Sequence, residues 1–69
     1  MEIGKAIKLI MLERGIDSYT MTVRIGKSPA YVSLLLNDKK RMNMEVLGDM
    51  AKAIGVKVSD IVIRAEGLK

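Results

Sequence analysis

Between Ile25 and Pro29 the chain has room for little more than a corner. Gly26 closes one amphipathic run, and Ser28-Pro29 opens the next after Lys27 alone. Ser28 is a strong N-cap, because its hydroxyl accepts a hydrogen bond from an otherwise orphaned amide of the first turn. Pro29 suits the first helical position, where its missing N–H costs nothing and its φ is already helical. Proline also pushes Ser28 out of the α region, as a cap requires. The helix that starts here is expected to run to Asn37, which takes the left-handed conformation of a helix end, and Asp38-Lys39-Lys40-Arg41 continues it poorly. A glycine and one further residue are too few for an antiparallel hairpin. The helix before Gly26 and the helix after Ser28 must therefore cross at a steep angle.

The rest of the chain supplies partners for these two helices. Ile3, Ala6, Ile7, Ile10 and Met11 fall on one stripe of a helix over residues 3–14, ended by Gly15. Asp17 caps a second helix from Tyr19 to Ile25, with Met21, Thr22 and Ile25 facing inward. Its β-branched Thr20, Thr22 and Val23 favour helix weakly, so packing must hold it, and a strand is the competing reading. Asn43 caps a fourth helix, Met44 to Ile54, with Val46, Leu47, Met50, Ala51 and Ile54 at helical spacing and Gly55 at its end. In the following segment Val56 and Val58 flank a polar residue as in a strand, whereas Ser59-Asp60 resembles a helix start. A short fifth helix from about Val58 to Arg64 is preferred, with 65–69 as a frayed tail. The expected fold is all-α, a compact bundle of about five short helices in one domain over 1–69, with a helix-turn-helix at about 18–37.

Composition narrows the chemistry. With 69 residues and no cysteine, neither disulfides nor thiolate metal sites stabilise the fold, and with no histidine a zinc finger and any Ser/His or Cys/His dyad are excluded. Stability must come from aliphatic packing, which 49% hydrophobic content allows, with the six methionines filling gaps or starting helices. The carboxylates Glu2, Glu13, Asp17, Asp38, Glu45, Asp49, Asp60 and Glu66 are scattered over caps and solvent faces, Asp49 and Lys52 as a surface pair. Gly48 reads as a close-packing point or a tolerated surface glycine, and no phosphate-binding glycine loop is present. Neither enzymatic activity nor a metal or cofactor is expected. Glu2, Lys5 and Lys8 interrupt any signal-peptide core, and no run approaches the ~18–20 apolar residues of a membrane span, so a cytoplasmic location is expected.

The formal net charge is +4, and its placement says more than its size. Arg24, Lys27, Lys39, Lys40 and Arg41 face Asp38 alone in residues 24–41, while the remainder carries seven basic and seven acidic residues. An excess gathered around one helix favours an acidic partner such as phosphate.

The ordered set Ile3…Arg14-Gly15-Ile16, Gly26, Ser28-x-x-Tyr31-Val32-Ser33-x-Leu35-x-Asn37-x-Lys39, Leu47-x-x-Met50-Ala51-x-Ala53-Ile54-Gly55-Val56 and Asp60-Ile61-Val62 resembles the Cro/cI family of helix-turn-helix proteins, also called lambda-repressor-like or XRE. The resemblance spans nearly the whole chain. It implies a five-helix bundle that binds double-stranded operator DNA as a homodimer, more like a Cro-type or phage-immunity regulator than a full-length repressor. By position it implies that Val32 and Leu35 are buried and that Pro29, Ala30, Ser33 and Leu34 face the bases of the major groove. Ser18, Lys27, Ser28, Tyr31, Asn37, Lys39, Lys40 and Arg41 are the corresponding candidates for phosphate contact. Ser18 stands where relatives often carry a longer glutamine. Thr22 stands where a small alanine lets the two helices cross, and its hydroxyl needs a partner such as its own i−4 carbonyl.

The expected function is a sequence-specific transcriptional regulator, a phage or mobile-element repressor on a pseudo-palindromic operator. One departure favours an alternative. Paired purine contacts are made best by Arg, Lys, Asn and Gln, yet of the four base-facing residues only Ser33 hydrogen-bonds; Pro29, Ala30 and Leu34 offer contacts to thymine methyls. Leu34-Leu35-Leu36 cannot all be buried on one side of a helix, so with Leu35 in the core, Leu34 and Leu36 are candidates for a protein partner, as in an antirepressor-like interaction module. Val58, Ile61, Val62 and Ile63 are more apolar than one helix face requires, and Val58, Val62 and Ile63 are the candidates for subunit pairing.

Overall fold

The computed structural model describes residues 2–68, among which there are five helices and no strand: α1 (Ile3–Arg14), α2 (Ser18–Ile25), α3 (Pro29–Leu36), α4 (Met44–Ile54) and α5 (Val58–Glu66). The local start signals act as their chemistry requires. Asp17 Oδ1 accepts from the Thr20 amide at 2.8 Å, Ser28 Oγ from Tyr31 at 3.2 Å and Asn43 Oδ1 from Val46 at 2.8 Å. The β-branched second segment is a helix rather than a strand. Met21 is fully buried beneath it, and the Thr22 hydroxyl donates to the Ser18 carbonyl at 2.9 Å, so the crossing carries no unpaired hydroxyl.

One core serves all five helices. Ile7, Met21, Val32, Leu35, Met50, Ile54 and Ile61 are its largest fully buried members. α1 packs on α3, α4 and α5, α2 lies against α3 and α4, and α4 also meets α5. The short Asp60 side chain opens α5 by accepting from the Lys57 amide at 2.9 Å, which settles the Val56–Ile63 segment as loop and helix. α5 also runs further than expected. Ala65 is 1% exposed and Leu68 packs against the core, so these positions of the expected tail are structural, and Lys69 lies outside the described residues.

The start of α1 lies backbone-close against the end of α3. A Cβ at Gly4 would be driven into the Leu35 carbonyl oxygen and would lie 2.8 Å from that of Leu36. Only glycine allows this contact. The end of α3 accordingly differs from expectation: Asn37 keeps φ −97°, and Asp38 takes the left-handed conformation at φ 56°. Aspartate tolerates that region better than most side chains, and here the turn aims its carboxylate at α1. Asp38 Oδ1 accepts from the Gly4 amide at 2.8 Å and Oδ2 from Lys5 at 3.2 Å. The adjacent Glu2 side chain makes no capping bond, so α1 is capped from across the fold. Leu36 is buried as well, at 3% exposure.

Gly48 is the surface glycine rather than the packing point, with open space where its Cβ would stand. Asp49 and Lys52 form no ion pair; among the described residues the one ion pair joins Glu13 to Arg64 at 2.8 Å, between α1 and α5. The Arg64 hydrogen bond holds the Glu13 carboxyl below its ordinary value, and the Thr20 amide does the same for Asp17.

Two substitutions of the same kind should act in opposite directions. Gly4→Ala forces α1 away from α3 and should cost roughly 3 kcal/mol or more, whereas Gly48→Ala should stabilise by about 0.5–1 kcal/mol. Urea unfolding midpoints of the two variants test the assignment. Asp38→Ala should lower stability by about 1 kcal/mol, the cost of a lost cap. Because Glu13 and Asp17 release their protons more readily folded than unfolded, the unfolded chain binds more protons in acid. Their contribution is complete above the ordinary carboxylate range and is lost as pH falls through the folded values. With no histidine in the chain, the urea midpoint should be flat from about pH 6 to 8 and fall below about pH 4.

Candidate nucleic-acid interface

α3 rests on the bundle through Val32, Leu35 and Leu36, and its other side is open. Pro29, Ala30, Ser33 and Leu34 are all exposed, Leu34 by 45%. Helical spacing sets Pro29 and Ser33 in one row and Ala30 and Leu34 in the next. The four expected base-facing residues thus share one continuous surface. Leu36 does not join it: its place beside α1 puts it in the core, which removes it as a candidate for a protein partner.

Basic residues border this face at both ends. Lys27 precedes α3, and Lys39, Lys40 and Arg41 follow it; all are exposed. The half-buried Tyr31 ring lies between the two groups, with the Lys27 ammonium 5.9 Å and the Lys40 ammonium 5.7 Å from its centroid. The negative quadrupole of the ring attracts both cations, which draws the chain after α3 towards the chain before it. Lys39, Lys40 and Arg41 also rim a concavity floored by Ile3, Met42 and Leu47. None of these four cations is in an ion pair among the described residues.

Two charges counted in the basic segment are committed elsewhere. The Arg24 guanidinium donates to the Ala53 carbonyl at 2.7 Å, tying the end of α2 to the end of α4. The Asp38 carboxylate is held by the α1 amides. The cationic surface is therefore Lys27, Lys39, Lys40 and Arg41, with its one acidic neighbour turned into the scaffold.

On the other flank, Ser18 and Tyr19 of α2 share a groove with Pro29, Ser33, Asn37 and Lys8. Lys8 and Tyr19 were not among the expected site residues. The Lys8 ammonium donates to Asn37 Oδ1 at 2.7 Å, while Asn37 Nδ2 donates to the Ser33 carbonyl at 2.8 Å and to Ser33 Oγ at 3.3 Å. Asn37 is thus a bracket between α1 and α3. Ser28 Oγ is occupied by its capping bond, with its own proton still free to donate. Lys8 lies one helical turn after Gly4, so the contact that brings α1 onto α3 delivers it. Tyr19 is 76% exposed beside the N-cap of α2, and that exposure is what marks it.

Of the subunit-pairing candidates, Val58 and Val62 are half-buried and Val58 packs on the core, whereas Ile63 is 66% exposed. No helix of the described chain is long and apolar enough to cross a membrane.

Two crystal structures of the clp gene regulator ClgR from Corynebacterium glutamicum share this arrangement. Each superposes with a TM-score of 0.93 at 27% identity over 97% of this chain, covering 87% of the one ClgR chain and 71% of the other. Among curated proteins no sequence matches. The sequence model of the Cro/C1-type HTH DNA-binding domain matches residues 6–66. With the two crossed helices and the open face of α3, that match means that the chain belongs to the Cro/C1-type helix-turn-helix DNA-binding family.

Proposed function

We propose that this DNA-binding regulator is a phage- or mobile-element-type repressor that docks α3 in the major groove of a pseudo-palindromic operator as a homodimer. The observation that carries the reading is the bracket of four cations, in no ion pair among the described residues, around the exposed face of α3. Phosphate neutralisation supplies most non-specific affinity, and contacts at both ends of a helix fix its register on the duplex. In this reading Lys27, Lys39, Lys40 and Arg41 meet phosphates as charges. Ser18, Ser28 and Tyr31 supply neutral hydrogen bonds from the same flanks, while Asn37, both ends of its amide bonded within the protein, holds Lys8 beside them. Pro29, Ala30, Ser33 and Leu34 face the bases. The regulatory role of ClgR, a neighbour of the same fold, supports the assignment to transcription.

Pairing of two chains through α5 would use Ile63 as its exposed anchor, with Val58 and Val62 at the edge. A dimer that sets its recognition helices ~34 Å apart matches one turn of DNA. The competing protein-docking module loses its second leucine, because Leu36 is buried.

Four phosphates per subunit give a dimer a log–log slope of affinity against salt of about −7. Lys39→Ala/Lys40→Ala/Arg41→Ala should flatten it to about −2 and abolish binding at physiological salt. Fluorescence anisotropy with a random-sequence duplex at several salt concentrations checks both. Wild-type binding no tighter than that of the triple variant would overturn the reading. Analytical ultracentrifugation of Ile63→Asp tests the pairing, with the expected result a shift towards monomer without loss of the fold.

A further inference from the structure

We infer that α3 identifies its operator chiefly through the C5-methyl groups of pyrimidines, and so through thymine; the inference rests on the groove-facing placement of α3 proposed above. Two observations lead to it: what the exposed face contains, and what the nearby polar side chains are already doing.

Pro29, Ala30 and Leu34 present carbon alone, and the Ala30–Leu34 row is an unbroken apolar ridge one helical turn long. The side chain best suited to a paired contact with adenine is the carboxamide of Asn37, and it is fully engaged. Its oxygen accepts from Lys8 at 2.7 Å, and its nitrogen is shared between the Ser33 carbonyl and the Ser33 hydroxyl. Turning Asn37 outward would release Lys8 and give up both side-chain bonds to Ser33, whose carbonyl would keep only the Asn37 backbone amide. Lys8 is held by the same bond. Ser33 keeps one hydroxyl proton to donate, which purine N7, guanine O6 and thymine O4 accept alike, so it senses an acceptor without naming a base. The free cations lie before and after the helix, where the backbone runs.

What remains to discriminate bases is apolar contact. In the major groove only thymine among the four bases carries an apolar group, its C5-methyl. Burial of that methyl against Leu34 and Ala30 should be worth about fourfold in affinity for each contact. Uracil has every hydrogen-bonding group of thymine and lacks the methyl, whereas 5-methylcytosine has the methyl on the other pyrimidine. A methyl reader must separate the first pair and respond to the second.

The test starts from a duplex of about 20 base pairs, one helical turn between half-site centres, selected from a random pool by the full chain. The duplex is resynthesised with deoxyuridine at each half-site thymine in turn. The expected result is at least one thymine per half-site whose replacement weakens binding about fourfold, and about sixteenfold when both half-sites are changed. At that position 5-methylcytosine should bind more tightly than cytosine. Leu34→Ser, an exposed substitution, should bring the thymine-to-uracil ratio close to one while leaving the salt slope unchanged. Equal binding of the thymine and deoxyuridine duplexes, with the salt slope intact, would overturn the methyl reading and leave DNA binding standing. Retention of the full thymine-to-uracil ratio in Leu34→Ser would overturn it too. Binding no tighter than that of Lys39→Ala/Lys40→Ala/Arg41→Ala would overturn both.

Discussion

The first turn of α1 lies directly on the last turn of α3, with no side chain between them at Gly4, and much of the functional surface follows from that contact. It places the free amides of α1 within reach of Asp38, and the Asp38 turn sends the chain on towards Lys39, Lys40 and Arg41. It also buries Leu36 and carries Lys8 to Asn37. The positive end of one helix meets the negative end of the other, so the arrangement is favourable electrostatically as well as tight. A single aspartate both ends α3 and caps α1, its left-handed turn setting one carboxylate oxygen on each of the Gly4 and Lys5 amides.

The same contact sorts the charges. Asp38 would otherwise weaken the basic segment beside α3, but it is turned into the scaffold. Arg24 is removed from that side by its bond to α4. What is left outward is a set of cations at the two ends of α3, linked across Tyr31, and a face between them that is almost free of charge. In the proposed reading affinity and discrimination are thereby assigned to different atoms: ammonium and guanidinium groups to the phosphates, carbon and one hydroxyl to the bases. Substitutions at the ends should change binding to all sequences together, and substitutions on the face should change preference among them.

How much of this was legible in the sequence depended on the range of the interaction. Asp17, Ser28 and Asn43 were readable as caps because their partners lie three residues away, and Gly26 with Pro29 dictated the crossing of α2 and α3. The placement of Pro29, Ala30, Ser33 and Leu34 on one face was implied by the family resemblance, and the helical spacing after Ser28 agrees with it. Gly4 gave no local signal, because the atoms that require it belong to Leu35 and Leu36, far along the chain. Asp38 was hidden for the same reason, and a rule of local chemistry assigned its left-handed turn to Asn37. Leu36 and Ala65 looked dispensable to the core because the surfaces that cover them come from other helices. Arg24 counted as surface charge until the fold supplied the Ala53 carbonyl.

The central claim is that α3 and the basic loop after it, held by the start of α1, form one DNA-facing surface. Its most direct test is a titration of isotopically labelled protein with a selected duplex, followed by backbone amide chemical shifts. The expected result is a contiguous set of shifted amides over residues 27–41, joined by Ser18, Tyr19 and Lys8, with the outer face of α4 around Asp49 and Lys52 unmoved. Shifts centred on α4, or on Leu9 and Leu12 of α1, with residues 27–41 silent, would contradict it.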